Sequence, residues 1–268
     1  MNLRILTTVI GLPIVLFILL CTNCYVVDAC IAIVLLRAVY EYKNCLAKKK
    51  IKVISWIMYL AAISVGFIHI IPEQIVNTII LYSMPTIALI LFGHVVVSDM
   101  KITLKDVVYT LLGIVYLIGF TLFIPIIAGK PYGKYLIFLV FFPAWGTDSF
   151  AYLIGRKFGK HKFSSVSPNK SIEGCIAGTV SSVILCLLLA FIMNSTTSVD
   201  VSYVAFGIAG VILSLIGQLG DFSASAIKRS FGIKDYSDLI PGHGGIIDRI
   251  DSLIFIAPFA NLFITLFM

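Results

Sequence analysis

The stretch from Asp221 to Asp251 reads DFSASAIKRSFGIKDYSDLIPGHGGIIDRID and holds five of the thirteen acidic residues of the chain, together with four Lys or Arg residues. Mg²⁺ prefers carboxylate oxygen and usually binds one or two carboxylates plus substrate phosphates. Asp221 and Asp248, flanked by these cations, therefore predict a site for a metal-bound polyphosphate. Zinc is not expected, because His243 has no second His or Cys at ligand spacing. The alternative is a solvated loop with scattered ion pairs.

Spacing brings several of these side chains together. If the helix ending near Asp221 continues through SASAIKR, then Asp221, Ser225 and Lys228 share one face. Gly232 is expected to end that helix. In the segment that follows, Gly244 and Gly245 allow the backbone to approach a ligand closely.

A second group of chemically useful residues begins at Asp148, inside an apolar run. Asp148, Tyr152 and Arg156 share one helical face. A carboxylate within a membrane segment indicates a functional site by default, although a structural hydrogen bond between helices fits equally well. The loop that follows is rich in cations: Arg156, Lys157, Lys160, Lys162 and Lys170.

These residues lie among apolar segments long enough to cross a membrane. The chain is 60% hydrophobic and 12% charged, with a mean hydropathy of +1.06, which excludes an ordinary soluble domain. A bilayer core takes about 20 apolar residues as helix. Nine runs fit: 5–21, 25–42, 52–71, 75–96, 107–128, 135–155, 174–193, 201–220 and 250–267. The fold class is therefore an all-α, polytopic integral membrane protein with about nine transmembrane helices.

The distribution of Lys and Arg predicts the orientation. The connections after the second and sixth runs are basic, whereas NSTTSVD and IPEQ have no basic residue, so the N-terminus is predicted to be cytoplasmic. Topology and anion attraction account for the net charge of +7, and no nucleic acid partner is expected. Residues 1–130, about five helices, are predicted to form a scaffold. Residues 131–268 are predicted to form the catalytic unit, with cytoplasmic loops 155–173 and 221–249.

The charged stretch resembles a specific signature. From Ser225 to Asp251 the chain reads S-A-I-K-R, then K-D-Y-S, then I-P-G-H-G-G-I-I-D-R-I-D, which is similar to the signature of phosphatidate cytidylyltransferases (CDP-diacylglycerol synthases). The D-S-F-A-Y-L-I-G-R element from Asp148 and the S-P-N-K-S-I-E-G element from Ser167 to Gly174 are similar to the same family. The resemblance covers roughly 145–253. Asn169 departs from it, since the family usually has Lys there.

The resemblance implies transfer of the cytidylyl group of CTP to phosphatidic acid, with Mg²⁺ held at Asp221 and Asp248 as one ion or as a two-metal clamp. Cations would neutralise the triphosphate and the leaving pyrophosphate, and the resemblance assigns this role to Lys170, Lys228, Arg229 and Arg249. His243, Gly244, Gly245 and Ser225 would line the nucleotide and phosphate pocket, and Asp148 would be a metal-adjacent acid. His243 is not needed as a general base.

Other functions remain open at this stage. A CTP-dependent membrane lipid kinase for polyprenol or phytol needs the same residue types but releases CDP instead of pyrophosphate. An ion or solute transporter, with Asp148 and Asp221 as coupling carboxylates, would need a polar path through several spans. A bacterial plasma membrane, with the site at its cytoplasmic face, is the expected location. The sequence also allows a homodimer.

Overall fold

The computed structural model describes residues 3–162, 167, 170–239 and 244–268, and describes residues 3–10 by their backbone only. Throughout this part the regular structure is helical, with an isolated antiparallel bridge between Lys162 and Ser171. The all-α prediction is therefore confirmed. His243 and Asn169 lie outside the described residues.

The chain divides into two compact units. The first comprises Met1–Gly129 and Phe231–Arg249, and the second comprises Lys130–Ser230 and Ile250–Met268. The helices of the first are α1 (Leu3–Cys21), α2 (Cys24–Ala47), α3 (Ser55–Val65), α4 (Glu73–Val97), α5 (Leu104–Gly113), a π-helical segment (Ile114–Gly119) and α6 (Phe123–Ala128). Those of the second are α7 (Gly133–Leu136), α8 (Phe138–Phe158), α9 (Ile172–Thr196), α10 (Tyr203–Ser230) and α11 (Ile247–Phe267), whose residues up to Arg249 belong to the first unit.

Six helical segments of the described chain are long and apolar enough to cross a membrane: Glu73–Val97, Leu104–Ala128, Gly133–Phe158, Ile172–Thr196, Tyr203–Ser230 and Ile247–Phe267. The other three predicted runs also lie on helices. However, Ser55–Val65 has only 11 residues, and α2 carries Asp28, Arg37, Glu41 and Lys43. The protein is an integral membrane protein by composition, whereas nine spans and a cytoplasmic N-terminus stay predictions.

The first unit packs around α2 with buried polar side chains as anchors. Asp106 closes a capping box with Thr103 at the start of α5 and also accepts a hydrogen bond from the Lys52 amide at 2.7 Å. Asp28 is fully buried and contacts His69 Nδ1 at 2.8 Å. Each buried carboxylate therefore has hydrogen-bond donors, as its removal from water requires.

The second unit packs α8, α9 and α10 through small residues. A Cβ on Gly178 would lie 2.8 Å from the Thr147 carbonyl oxygen, and one on Gly210 would lie 2.8 Å from Val183 Cα. Small residues let membrane helices approach closely. The contact is reinforced by a chain of polar groups, in which the Ser214 hydroxyl lies 2.7 Å from Thr147 Oγ1 and 3.1 Å from Thr179 Oγ1.

Helix α11 approaches α10 in the same way. A Cβ on Gly217 would lie 2.7 Å from Ile256 Cδ1, and one on Gly220 would lie 2.8 Å from the Asp251 carbonyl oxygen. Gly220 directly precedes Asp221, so this close approach brings the Asp251 turn of α11 to the Asp221 turn of α10. The end of α10 also agrees with the sequence prediction, since the helix ends at Ser230 and Gly232 has φ +68°.

The close contact of α8 and α9 leads to a stability prediction. Gly178→Ala should lower the thermal midpoint in detergent, because the added methyl meets rigid backbone; overpacking of this kind costs about 1–3 kcal/mol. Gly207→Ala in α10 is the matched control, since its Cβ would meet only Leu187 Cδ2 at an ordinary 3.7 Å. Equal midpoints for the two variants would contradict the packing described.

Candidate active site

Asp221 forms the centre of the charged residues in the second unit. Its carboxylate contacts the ammonium group of Lys170, and both side chains are about one-fifth exposed. Lys170 directly precedes Ser171, whose hydroxyl caps α9 by accepting from the Gly174 amide. The Lys170 ammonium also lies 4.6 Å from the centre of the Phe222 ring. The start of α9 therefore holds this cation against α10, at the first of the two predicted metal ligands.

Asp251 adds a further carboxylate that the sequence analysis did not assign to the site. It is 8% exposed, and its carboxylate interacts electrostatically with Asp221, Asp148 and Lys228. Lys228 is buried to a similar degree. The signal was present in the sequence, because a charged residue in an apolar helix, three positions after Asp248, indicates function in the same way as Asp148 does.

The sequence predicted that Asp148, Tyr152 and Arg156 share one face of a helix, and all three lie on the continuous helix α8. Arg156 donates a hydrogen bond from Nη1 to the Tyr152 hydroxyl at 3.1 Å, one helical turn away. Asp148 lies one turn before Tyr152 and is exposed on the protein surface. The second unit thus collects Asp148, Asp221 and Asp251 with Lys170 and Lys228. We call these five residues the aspartate cluster.

The remaining predicted residues of α10 flank the cluster. Ser225, half-buried, follows Asp221 by one turn, and Arg229 is exposed beside the buried Lys228 near the end of the helix. The predicted stripe of Asp221, Ser225 and Lys228 therefore lies on one continuous helix, as expected.

The second predicted metal ligand, Asp248, lies in the first unit and holds a loop. Its Oδ2 accepts hydrogen bonds from the amides of Tyr236 and Gly245, each at 2.9 Å. Gly244 has φ +80°, and a Cβ there would lie 2.9 Å from the same Asp248 oxygen. Burial raises the pKa of the Tyr236 hydroxyl, so this phenol stays protonated at neutral pH. The two glycines therefore allow the backbone to approach a carboxylate of the protein itself.

A second carboxylate in this unit was missed by the sequence analysis. Glu41 of α2 is 1% exposed and accepts hydrogen bonds from the amides of Ile246 and Ile247 at the start of α11. Arg249, which follows Asp248, is exposed. Nothing in local spacing connects Glu41 with a segment about 200 residues later, so no sequence pattern could have paired them.

We asked whether the described residues suit a metal ion. No group of three or more His, Cys, Asp or Glu side chains in residues 3–162, 167, 170–239 and 244–268 is arranged to hold a metal by itself. Mg²⁺ usually binds through one or two carboxylates and takes its other ligands from water and substrate phosphates, so it does not need such a group. The mutual repulsion of Asp148, Asp221 and Asp251 also falls when a cation binds near them. The oxygen-only donor set fits Mg²⁺ and does not fit zinc.

An apolar groove of about 770 Å³ lies beside the aspartate cluster, between α9 and α10. It is lined by Ile172, Cys175, Ile176, Thr179, Val180, Leu215, Gln218, Leu219, Phe222, Ser223 and Ala226. Phe222 is the residue against which the Lys170 ammonium lies. A long apolar groove therefore passes beside a cation and a carboxylate.

The chain is similar to known proteins over nearly its whole length. The model of the cytidylyltransferase family matches residues 2–267. A phosphatidate cytidylyltransferase of Staphylococcus haemolyticus (strain JCSC1435) is 34% identical over 267 residues, which cover 98% of each chain. The protein of that name from Staphylococcus aureus (strain COL) is 38% identical over 189 residues, 70% of each chain. The one from Bacillus subtilis (strain 168) is 36% identical over 181 residues, 67% of this chain and 66% of its own. On these matches, the chain belongs to the cytidylyltransferase family.

Proposed function

We propose that the protein transfers the cytidylyl group of CTP to phosphatidic acid, giving CDP-diacylglycerol and pyrophosphate for phospholipid synthesis. The observation that carries the proposal is the alignment over 98% of both chains with a relative named phosphatidate cytidylyltransferase. The aspartate cluster supports it, because it combines carboxylates with the ammonium groups of the buried Lys228 and the partly buried Lys170 in a protein of apolar helices. A soluble polyanion and a lipid phosphate could both be held by such a group.

The chemistry needs positioning more than proton transfer. An oxygen of the lipid phosphate attacks the α-phosphorus of CTP, a new phosphorus–oxygen bond forms, and the bond to the departing pyrophosphate breaks. A phosphomonoester has a second pKa near 6 and is largely a dianion at neutral pH, so no side chain has to remove a proton. His243 is therefore assigned to the phosphate pocket, with Gly244 and Gly245, and not to general-base catalysis.

Cationic side chains of the chain stabilise the charge that develops on the leaving group. Lys170 and Lys228 belong to the aspartate cluster, and Arg229 and Arg249 are exposed at the ends of α10 and α11. Groups fixed before the reaction stabilise a transition state more than solvent can, because they need no reorganisation. Lys170 is held in place by two contacts of its ammonium group, with the Asp221 carboxylate and with the face of the Phe222 ring.

Mg²⁺ is the proposed cofactor, with Asp221 and Asp248 as its ligands in the protein and Asp148 as a nearby acid. When bound, one or two such ions would neutralise the phosphate oxygens of CTP and polarise the α-phosphorus. Asp221 contacts the Lys170 ammonium, so it already binds a cation. Asp248 Oδ2 accepts hydrogen bonds from the Tyr236 and Gly245 amides, and these bonds fix the orientation of the carboxylate.

The groove between α9 and α10 is proposed to hold one acyl chain of phosphatidic acid. Its lining is mostly apolar, and its position beside Lys170 and Asp221 would place the lipid phosphate near the cluster. The residues along α10 from Leu215 to Ala226 span roughly 16 Å at 1.5 Å per residue. That length accommodates most of an acyl chain while the rest stays in the bilayer.

The proposed location is the plasma membrane of a bacterium, with the site at the cytoplasmic face, where CTP is available. The basic connections after the second and sixth apolar runs support this orientation. A homodimer stays a prediction, which cross-linking in native membranes can test.

A direct assay separates this function from the kinase and transporter alternatives. Detergent-purified protein is incubated with radiolabelled CTP, phosphatidic acid and Mg²⁺. The expected result is lipid-extractable cytidine label together with equimolar pyrophosphate, both dependent on phosphatidic acid. Release of CDP with a polyprenol or phytol acceptor would favour the lipid kinase. Folded protein that forms neither product would refute cytidylyl transfer.

Asp221→Asn should lower kcat by about 100-fold or more while the protein remains folded, because the amide cannot bind the cations as the carboxylate does. Asp200→Asn is the matched control, since Asp200 is exposed between α9 and α10 and should not affect turnover. The measurements are CDP-diacylglycerol formation and the thermal midpoint. Full activity of Asp221→Asn would remove this residue from the site.

His243→Gln should reduce kcat far less than Asp221→Asn does, because the dianionic lipid phosphate needs no base. The pH dependence of kcat between 6 and 8 should be the same in His243→Gln and in the wild type. A loss equal to that of Asp221→Asn, or disappearance of a pH-dependent limb, would assign proton transfer to His243.

Ile176→Trp should fill the α9–α10 groove and raise the KM for long-chain phosphatidic acid several-fold, because the bulky ring displaces an acyl chain. The KM for dioctanoyl phosphatidic acid should change much less. Ile208→Trp is the matched control, since Ile208 is similarly exposed on α10 but does not line the groove. An equal change for both lipids would show that the groove does not bind the chain.

A further inference from the structure

Glu41 is a buried carboxylate with an unusually complete set of donors. Its Oε1 accepts from the Ser237 hydroxyl at 2.7 Å, the Ile246 amide at 3.0 Å and Arg37 Nε at 3.3 Å. Its Oε2 accepts from the Ile247 amide at 3.0 Å. Three of the four donors belong to the segment 237–247, and all lie in the first unit. One side chain of α2 thus holds both ends of this segment.

The Ile246 and Ile247 amides, which donate to Glu41, lie at the start of α11. The first N–H groups of a helix have no partner within the helix, and a negative charge is stabilised there by the helix dipole. Glu41 supplies the acceptors that a local capping residue would otherwise provide. Gly245 is adapted to this contact, because a Cβ at that position would lie 2.4 Å from Glu41 Oε2.

The contacts of Glu41 alternate with those of Asp248. The Tyr236 and Gly245 amides donate to Asp248 Oδ2, whereas Ser237 and Ile246, the next residue in each case, donate to Glu41. Glu41 therefore contacts the residue next to each of the two donors that orient the Asp248 carboxylate. The fourth donor, Arg37, has a side chain that is one-third exposed, and it forms an ion pair with the Glu41 carboxylate.

We propose that Glu41 is a positioning residue for cytidylyl transfer: it holds Ser237, Ile246 and the first turn of α11, and thereby the direction in which Asp248 presents its carboxylate. This inference depends on the proposed function, in which Asp248 binds Mg²⁺. A residue with a merely structural role would contribute to folding stability and leave the use of Mg²⁺ and CTP unchanged.

Glu41→Gln is the primary variant. Glutamine keeps the size of the side chain but replaces one acceptor oxygen by an NH₂ donor, which must then face a backbone N–H of Ile246 or Ile247. Asp106→Asn is the matched control, because Asp106 is also a buried carboxylate of the first unit that accepts backbone amides, those of Lys52 and Thr103. Among the described residues of the segment, 237–239 and 244–247, none donates a hydrogen bond to Asp106.

Three properties are measured on each purified full-length variant. They are the Mg²⁺ concentration that gives half-maximal CDP-diacylglycerol formation at saturating CTP, the thermal midpoint, and hydrogen–deuterium exchange of the peptide 236–250. For Glu41→Gln the half-saturating Mg²⁺ concentration should rise about 10- to 100-fold, as is typical when a partner that orients a metal ligand is lost. Exchange of this peptide should also accelerate. Asp106→Asn should lower the midpoint and leave both other properties unchanged.

The opposite pattern would overturn the proposal. If Glu41→Gln lowers the midpoint but keeps the Mg²⁺ dependence of the wild type, or if Asp106→Asn shifts it equally, Glu41 has only a structural role. Should Glu41→Gln fail to fold, Ser237→Ala decides, because it removes one hydrogen bond and keeps the buried charge. It should raise the half-saturating concentration in the same direction but less, and an unchanged value would refute positioning. A wild type that forms no CDP-diacylglycerol would instead refute the proposed function.

Discussion

The structure depends on how carboxylates are stabilised where water is scarce. Removing an ionised carboxylate from water is costly unless it is paired and hydrogen-bonded. The protein meets this requirement in two ways. In the second unit, ammonium groups approach the carboxylates, as Lys170 does at Asp221. In the first, backbone amides surround them, as at Glu41 and Asp248. Where an ammonium group is the partner, a substrate can replace it at the carboxylate. Where backbone amides are the partners, they fix the orientation of the carboxylate.

The same requirement explains the distribution of glycine. Gly220 lets α11 approach α10 at Asp251, and Gly178 lets α9 approach α8 near Thr147. The Gly220 contact places the Asp251 turn of α11 beside the Asp221 turn of α10. In a bilayer, apolar side chains gain little from leaving lipid, so close backbone contact and polar links such as Thr147 to Ser214 must hold the helices. Packing and site chemistry therefore depend on the same small residues.

Local features of the fold could be predicted from the sequence, and long-range partners could not. The face shared by Tyr152 and Arg156, and the end of α10 before Gly232, follow from helical periodicity and from the backbone freedom of glycine. The partner of the Gly245 region does not, because Glu41 lies in a distant helix and no period connects the two. Asp251 is an intermediate case. Its apolar surroundings indicated a role, but its proximity to Asp148 depends on α8 and α11 belonging to one packed unit.

The two kinds of stabilisation also suggest why the signature extends over so many residues. A metal ligand alone needs one aspartate, yet the orientation of the Asp248 carboxylate depends on the Tyr236 and Gly245 amides that donate to it. Those amides are in place only if the neighbouring Ser237 and Ile246 are held, and Glu41 holds them. Ser237 and Ile246 thus constrain the neighbouring amides through contacts of about 3 Å that tolerate little displacement. A substitution at Glu41, Ser237 or Ile246 is therefore expected to reach the Asp248 carboxylate.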